Sequence, residues 1–151
     1  MSKDAGAGSG GGPDAPVDVT LDEVLDTLRT MLVITSTDPK WLRRGRQITV
    51  QYEFTDGDRS LPYHCRSEGP KWTLVPGALP DSDCDVIVAT APATLHGILH
   101  GELGGREAMV SGRLRLRKAP SMPMLLVMRG MFNRYTKAAA RGTLPTGERD
   151  A

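Results

Sequence analysis

The spacing of apolar residues changes period early in the chain, and this limits the fold more than any other feature. Leu21, Val24, Leu25, Leu28 and Leu32 recur at every third or fourth position, which places them on one face of a helix. Ile48, Val50, Tyr52 and Phe54 then recur at every second position, between Thr49, Gln51 and Glu53. That is the pattern of a strand covered on one side. A chain that makes both elements has to lay an amphipathic helix against a sheet. Thr20 and Glu23 stand in the capping-box relation, so the helix is predicted to start at Thr20.

The rest of the chain repeats these two periods. Thr55-Asp56-Gly57-Asp58 predicts a tight turn, and Tyr63, Cys65, Trp72 and Leu74 mark two further strands divided by Ser67-Glu68-Gly69-Pro70. A strand at Cys84–Ala89 runs into Thr90-Ala91-Pro92, a helix start with Thr90 as cap, and Leu95, Ile98 and Leu99 form the apolar face of that second helix. After a Gly104-Gly105 break, Leu114 and Leu116 alternate with Arg113, Arg115 and Arg117 as a last strand. A closing helix is predicted from Pro120 to about Tyr135. Helices and strands in this order make an α+β plan.

Composition sets the boundaries. With 151 residues, 39% of them hydrophobic, the chain can fill one core. Residues 1–17, mostly Gly, Ala, Ser, Pro and Asp, read as a disordered tail, 18–136 as the folded domain and 137–151 as a flexible C-terminal tail. A formal net charge of +1 lacks the basic excess that phosphate recognition demands, so no nucleic-acid partner is expected. Cys65 and Cys84 have no repeated spacing, which predicts neither a disulfide framework nor a zinc site and points to a reduced, cytoplasmic setting. No stretch reaches the ~18 apolar residues of a membrane span.

The order of elements and the run from Cys84 to Phe132 resemble the sterol carrier protein two family of lipid-transfer domains. The similarity covers about residues 18–136. It rests on Cys84-Asp85-Val86-Ile87-Val88, on Thr94-Leu95-His96-Gly97-Ile98-Leu99-His100-Gly101-Glu102-Leu103 ending a helix in Gly, and on Ala108-Met109-Val110-Ser111-Gly112-Arg113-Leu114 leading into a strand. The resemblance implies a five-stranded antiparallel sheet with helices packed on one face, enclosing an apolar tunnel for acyl chains or sterols. Lys118-Ala119-Pro120 departs from the family's Gly-Asp after the last strand, and the basic connector Trp41-Leu42-Arg43-Arg44-Gly45-Arg46 is extra.

Several groups carry chemistry in principle. His64 and Cys65 are a base beside a thiol, but neighbours on a strand point to opposite faces. His96 and His100 have the spacing of a helical metal pair without a third ligand, and are read as surface residues. Asp83 and Asp85 suit paired carboxylates, or a strand edge bonded to turn amides. No catalytic residue, metal or cofactor is therefore expected. The segment 113–147 has no acidic residue. Arg115, Arg117, Lys118, Arg129 and Arg134 in it form either a solvated face or a docking surface for an anionic membrane or a partner enzyme.

The reading that follows is a non-catalytic domain that binds and transfers or presents an apolar small molecule, a lipid, fatty acid or sterol-like ligand. Its predicted binding residues are Ile48, Val50, Tyr52, Phe54, Trp72 and Leu74 from the sheet, with Met122, Leu125, Met128, Met131 and Phe132 from the closing helix. Methionines in that helix offer a flexible surface able to repack around apolar partners, or simply a buried core. Two alternatives remain: a biosynthetic enzyme or accessory holding an apolar intermediate, with Asp85, His64 or Tyr52 as acid or base, and a protein-interaction module.

Overall fold

A computed structural model describes residues 17–39, 47–69 and 71–144. The tail before Val17, the basic connector at 40–46 and the residues after Leu144 lie outside them. In chain order the elements are α1 (Val17–Ser36), β1 (Thr49–Asp56), β2 (Arg59–Glu68), β3 (Lys71–Pro76), a short 3-10 turn (Asp81–Asp83), β4 (Val86–Thr90), α2 (Pro92–Leu99), α3 (Gly105–Val110), β5 (Leu114–Lys118) and α4 (Met122–Arg141).

The five strands form one sheet in the order β3-β2-β1-β4-β5. β1, β2 and β3 are an antiparallel meander, with Tyr52 opposite Tyr63 and Cys65 opposite Leu74. Gly57, at φ 65°, supplies the left-handed residue of the β1–β2 turn, a conformation that L side chains disfavour. The expectation of an antiparallel sheet holds for every pairing except β1 with β4, which is parallel, Tyr52 lying beside Val88. The chain leaves β3 at one edge and crosses beneath β2 and β1 before entering β4. That return brings β4 in along the direction of β1.

This crossing segment covers the sheet face away from the helices. Gln51 is 1% exposed there, and its Oε1 accepts from the Leu79 amide at 2.8 Å. Asp85 Oδ2 accepts from the Thr49 amide at 2.8 Å, while the Asp85 amide donates to the Thr49 carbonyl at 2.8 Å. Arg117 reaches across from β5 to hold both Glu53 and Asp81, at 2.7 and 3.1 Å. A bidentate guanidinium–carboxylate pair fixes geometry as well as charge.

The apolar core lies on the other face. α1 presents Leu21, Val24, Leu25, Leu28 and Leu32 to it, with Met31 extending the stripe. α1 in turn packs against both α2 and α4. Phe54 is fully buried, and removing a side chain of that size from water contributes about 1.5–3 kcal/mol. The packing on α1 thus follows the sequence period, but its start does not. The helix begins at Val17, so Thr20 sits inside it as a buried residue instead of capping it.

Two other helix ends differ from expectation. Ala91 is the N-cap of α2, because Thr90 completes β4 and its hydroxyl donates to the Arg113 carbonyl at 3.0 Å. α4 starts at Met122, where Ser121 Oγ accepts from the Met124 amide. It continues through Arg141, past the boundary expected at 137, until Gly142 takes a left-handed φ of 70°. The Thr143 amide then donates to the Ala138 carbonyl at 2.9 Å, which closes the helix end. No helix among the described residues is long and apolar enough to cross a membrane.

Candidate functional site

Between the helices and the middle of the sheet lies a cavity of about 240 Å³. Its floor is Val50 and Tyr52 of β1, Cys65 of β2 and Val88 of β4, neighbours in the strand register. Leu114 and Leu116 of β5 close one side; the arginines that alternate with them point away, as a period of two requires. Leu28 and Met31 of α1 and Leu95 and Leu99 of α2 form the back wall. Leu125, Met128, Met131 and Phe132 of α4 form the roof.

Ile98, Met128 and Phe132 also border a second, outer groove of about 630 Å³. That groove adds the exposed Arg129 and Asn133 of α4. The two spaces therefore meet at three apolar side chains, and among the described residues charge is confined to the outer one.

Tyr52 and Cys65 are the titratable groups in the inner wall. Burial, reinforced by the neighbouring Cys65, pushes the Tyr52 hydroxyl well above its ordinary value of 10. Burial also pushes the Cys65 thiol up to about 12, although backbone donors near it act in the opposite sense. Both stay protonated at neutral pH, so the wall offers weak hydrogen-bond donors on an apolar surface and no charged nucleophile or base.

The structure brings together six of the residues predicted for ligand binding: Val50, Tyr52, Leu125, Met128, Met131 and Phe132 all border the inner cavity. It does not bring Ile48 and Phe54 there. At 1% and 0% exposure they are packed into the core at either end of the same strand face. Trp72 and Leu74 line a separate shallow groove with Arg29, Leu32 and Val33. Met122, in the first turn of α4, is 66% exposed. Sequence reasoning missed Cys65, Val88, Met109, Leu114 and Leu116 as wall residues, and the inward alternation of Leu114 and Leu116 was the signal available for two of them.

The other candidates are kept apart. Cys65 faces the cavity while His64 Nδ1 donates to the Gly77 carbonyl at 2.8 Å, so the two form no dyad. Asp83 lies in the exposed 3-10 turn and Asp85 is bonded to β1, which separates the carboxylates by role. His96 and His100 lie with ring centroids 4.3 Å apart and planes tilted by 34°, against α1, where His96 is 3.7 Å from Glu23 and His100 is 3.5 Å from Thr27. Burial, with His96 close by, lowers the His100 pKa. No group of three or more His, Cys, Asp or Glu side chains among the described residues is placed to hold a metal ion.

Three of the basic residues are engaged by acceptors of the protein. Arg117 is engaged by Glu53 and Asp81, Lys118 Nζ donates to the Asp81 carbonyl at 3.0 Å, and Arg134 pairs with Asp38 of the α1 end at 3.2 Å. Arg115 and Arg129 are exposed, the first on β5 and the second beside the outer groove.

No protein-family model matches the sequence, and no curated protein matches it either. Solved structures do match the fold. A UbiJ-SCP2 ubiquinone synthesis protein is similar over 82% of this chain and 98% of its own, at 10% identity and a TM-score of 0.53. The sterol carrier protein 2 of Aedes aegypti, solved with palmitate, is similar over 76% of this chain and 96% of its own, at 16% identity and a TM-score of 0.52. This chain also aligns with 17% of a sec-alkylsulfatase, Pisa1 from Pseudomonas sp., at 20% identity and a TM-score of 0.49. The chain thus has the fold of the sterol carrier protein 2 domains, as its sequence resemblance implied.

Proposed function

We propose that this chain binds a lipid or other apolar molecule in the cavity between sheet and helices, and acts by holding and delivering it without changing it. The observation that carries the reading is the composition of the wall, in which every described side chain but Tyr52 and Cys65 is hydrocarbon or thioether. At ~25 cal/mol per Å² of apolar surface removed from water, such a wall holds an acyl or isoprenoid body without an elaborate polar site. The absence of catalysis is supported by the protonated state of Tyr52 and Cys65 and by the separation of His64 from the thiol.

Two fold neighbours support the class of ligand. One was solved with a C16 fatty acid, and the other is named for ubiquinone synthesis. The second name favours a variant of the same reading, in which the bound molecule is a biosynthetic intermediate presented to a separate enzyme. A docking role for Arg115 and Arg129 fits either version, because both are exposed and Arg129 stands beside the outer groove.

Native mass spectrometry of the full chain purified from cells tests the proposal. The expected spectrum shows an additional mass that is lost on organic extraction and identified in the extract as an apolar molecule. A protein that is empty on purification and fails to take up any lipid from mixed vesicles would refute it.

A further inference from the structure

The cavity contains one group that an apolar wall does not need. Tyr52 is 8% exposed, borders the cavity, and has no hydrogen-bond partner for its hydroxyl among the described residues. Its ring is held in the wall. It stacks on Phe54 with centroids 5.9 Å apart and planes 6° from parallel, and Phe54 is itself held edge-on by Tyr63. Val88 stands beside it on β4 and Tyr63 on β2, so the strand is paired on both sides. A hydroxyl in the cavity wall with no protein acceptor can donate to a bound molecule, which Phe at the same position could not do.

Among the described residues the inner wall holds no Lys, Arg or His, and Arg129 lies in the outer groove beyond Ile98, Met128 and Phe132. An ionised carboxylate or phosphate inside the cavity would have nothing to balance its charge. A fatty acid that kept its carboxylate near Arg129 and sent its chain inward would set methylenes against the Tyr52 hydroxyl and leave it unpaired.

We infer that Tyr52 determines ligand class within the proposed lipid site: its hydroxyl donates to an uncharged oxygen of the ligand, and the cavity selects neutral lipids carrying a carbonyl or hydroxyl group over ionised acids. The inference rests on the lipid-binding reading. It adds a direction to it, since the oxygen-bearing end of the ligand lies innermost, against β1, and the hydrocarbon extends toward Ile98, Met128 and Phe132. It makes Tyr52 a specificity residue in a site whose other contacts discriminate only by size and shape.

Binding of two probes of equal chain length, a long-chain methyl ketone and the ionised fatty acid, is measured by calorimetry on the delipidated full chain and on Tyr52→Phe. The ketone is expected to bind the wild type about tenfold more tightly than the acid. The Tyr52→Phe change should weaken the ketone by about fivefold, the worth of one neutral hydrogen bond, and leave the acid unaffected. Equal affinity of the wild type for both probes, or unchanged ketone binding by Tyr52→Phe, overturns the inference while leaving the lipid-binding reading in place. Failure of both probes to bind the wild type overturns both. A Tyr52→Phe protein that does not fold overturns the inference as well, because the hydroxyl would then have a partner in the protein.

Discussion

Met128 separates the inner cavity from the outer groove, and replacing it with Gln sets stability against binding. In the empty protein the side chain is half-buried and borders a groove of about 630 Å³. A Gln amide at this position reaches water there, so the loss is confined to part of the ~1.5–3 kcal/mol that full burial of Met contributes, or about 1 kcal/mol. With a ligand in place the amide must shed that water against hydrocarbon. An unpaired polar group of this kind costs about 1–3 kcal/mol, which corresponds to a Kd roughly five- to a hundredfold higher. Chemical denaturation of the delipidated protein and displacement of an uncharged fluorescent lipid read the two effects separately. Met128→Leu conserves volume and should stay within ~1.5 kcal/mol of wild type in stability, with affinity nearly unchanged. If Met128→Gln is unfolded, or binds the probe as tightly as wild type, α4 is not the wall of a ligand site.

The clamp on the far face predicts the acid behaviour of the fold. Hydrogen bonding from Arg117 holds the Glu53 carboxyl below its ordinary value of 4.5, so the unfolded chain binds more protons in that range and this contribution is complete above pH 4.5 and lost as the pH falls through the folded value. Denaturation midpoints of wild type and Arg117→Ala should therefore diverge above pH 4.5 and converge below it; parallel profiles would show that the clamp contributes nothing to stability. Cys65, with its thiol pushed up to about 12, should resist iodoacetamide at pH 8, where about one thiol in ten thousand is ionised, and react once guanidinium unfolds the chain. Alkylation of the folded protein at the unfolded rate, seen by intact mass, would mean that the cavity wall is open.

What the sequence disclosed was the face on which each residue lies, and what it withheld was the depth at which helices cover that face. Ile48, just before β1, and Val50, Tyr52 and Phe54 in it share one side, and the period of two says no more. Packing then divides them: α1 and the rest of the core close over Ile48 and Phe54, whereas Val50 and Tyr52 lie where α2 and α4 stand apart. Trp72 and Leu74 have the right pattern but belong to the edge strand β3, two positions from β1, and so reach a different groove. Long-range pairing was equally hidden. Arg117 and Glu53 are 64 residues apart, and no local pattern distinguishes Arg117 from the exposed Arg115 two positions earlier. The short α3, six residues between Gly104 and Ser111, spans too few turns to show a helical period.

The two sides of the sheet thus differ in how they can answer a ligand. A space of about 240 Å³ falls below the roughly 300–1,000 Å³ of ordinary small-molecule pockets, so a long apolar molecule requires the wall to give way. The sheet is poorly suited to do so. Behind Val50 and Tyr52, the alternate residues Thr49, Gln51 and Glu53 are bonded to Asp85, Leu79 and Arg117, and any displacement of β1 breaks those bonds. α4 is different, because among the described residues its roof side chains are tied by dispersion contacts, and its ion pair Arg134 with Asp38 lies toward its C-terminal half. Its N-terminal turns leave Met122 and Leu126 in solvent at 66% and 58% exposure, so they have little packing to lose. Unbranched methionines at 128 and 131 change rotamer at small cost. The polar bonds on the far face and the soft side chains on the near face therefore act together: the first keep Tyr52 in place while the second let the volume above it grow.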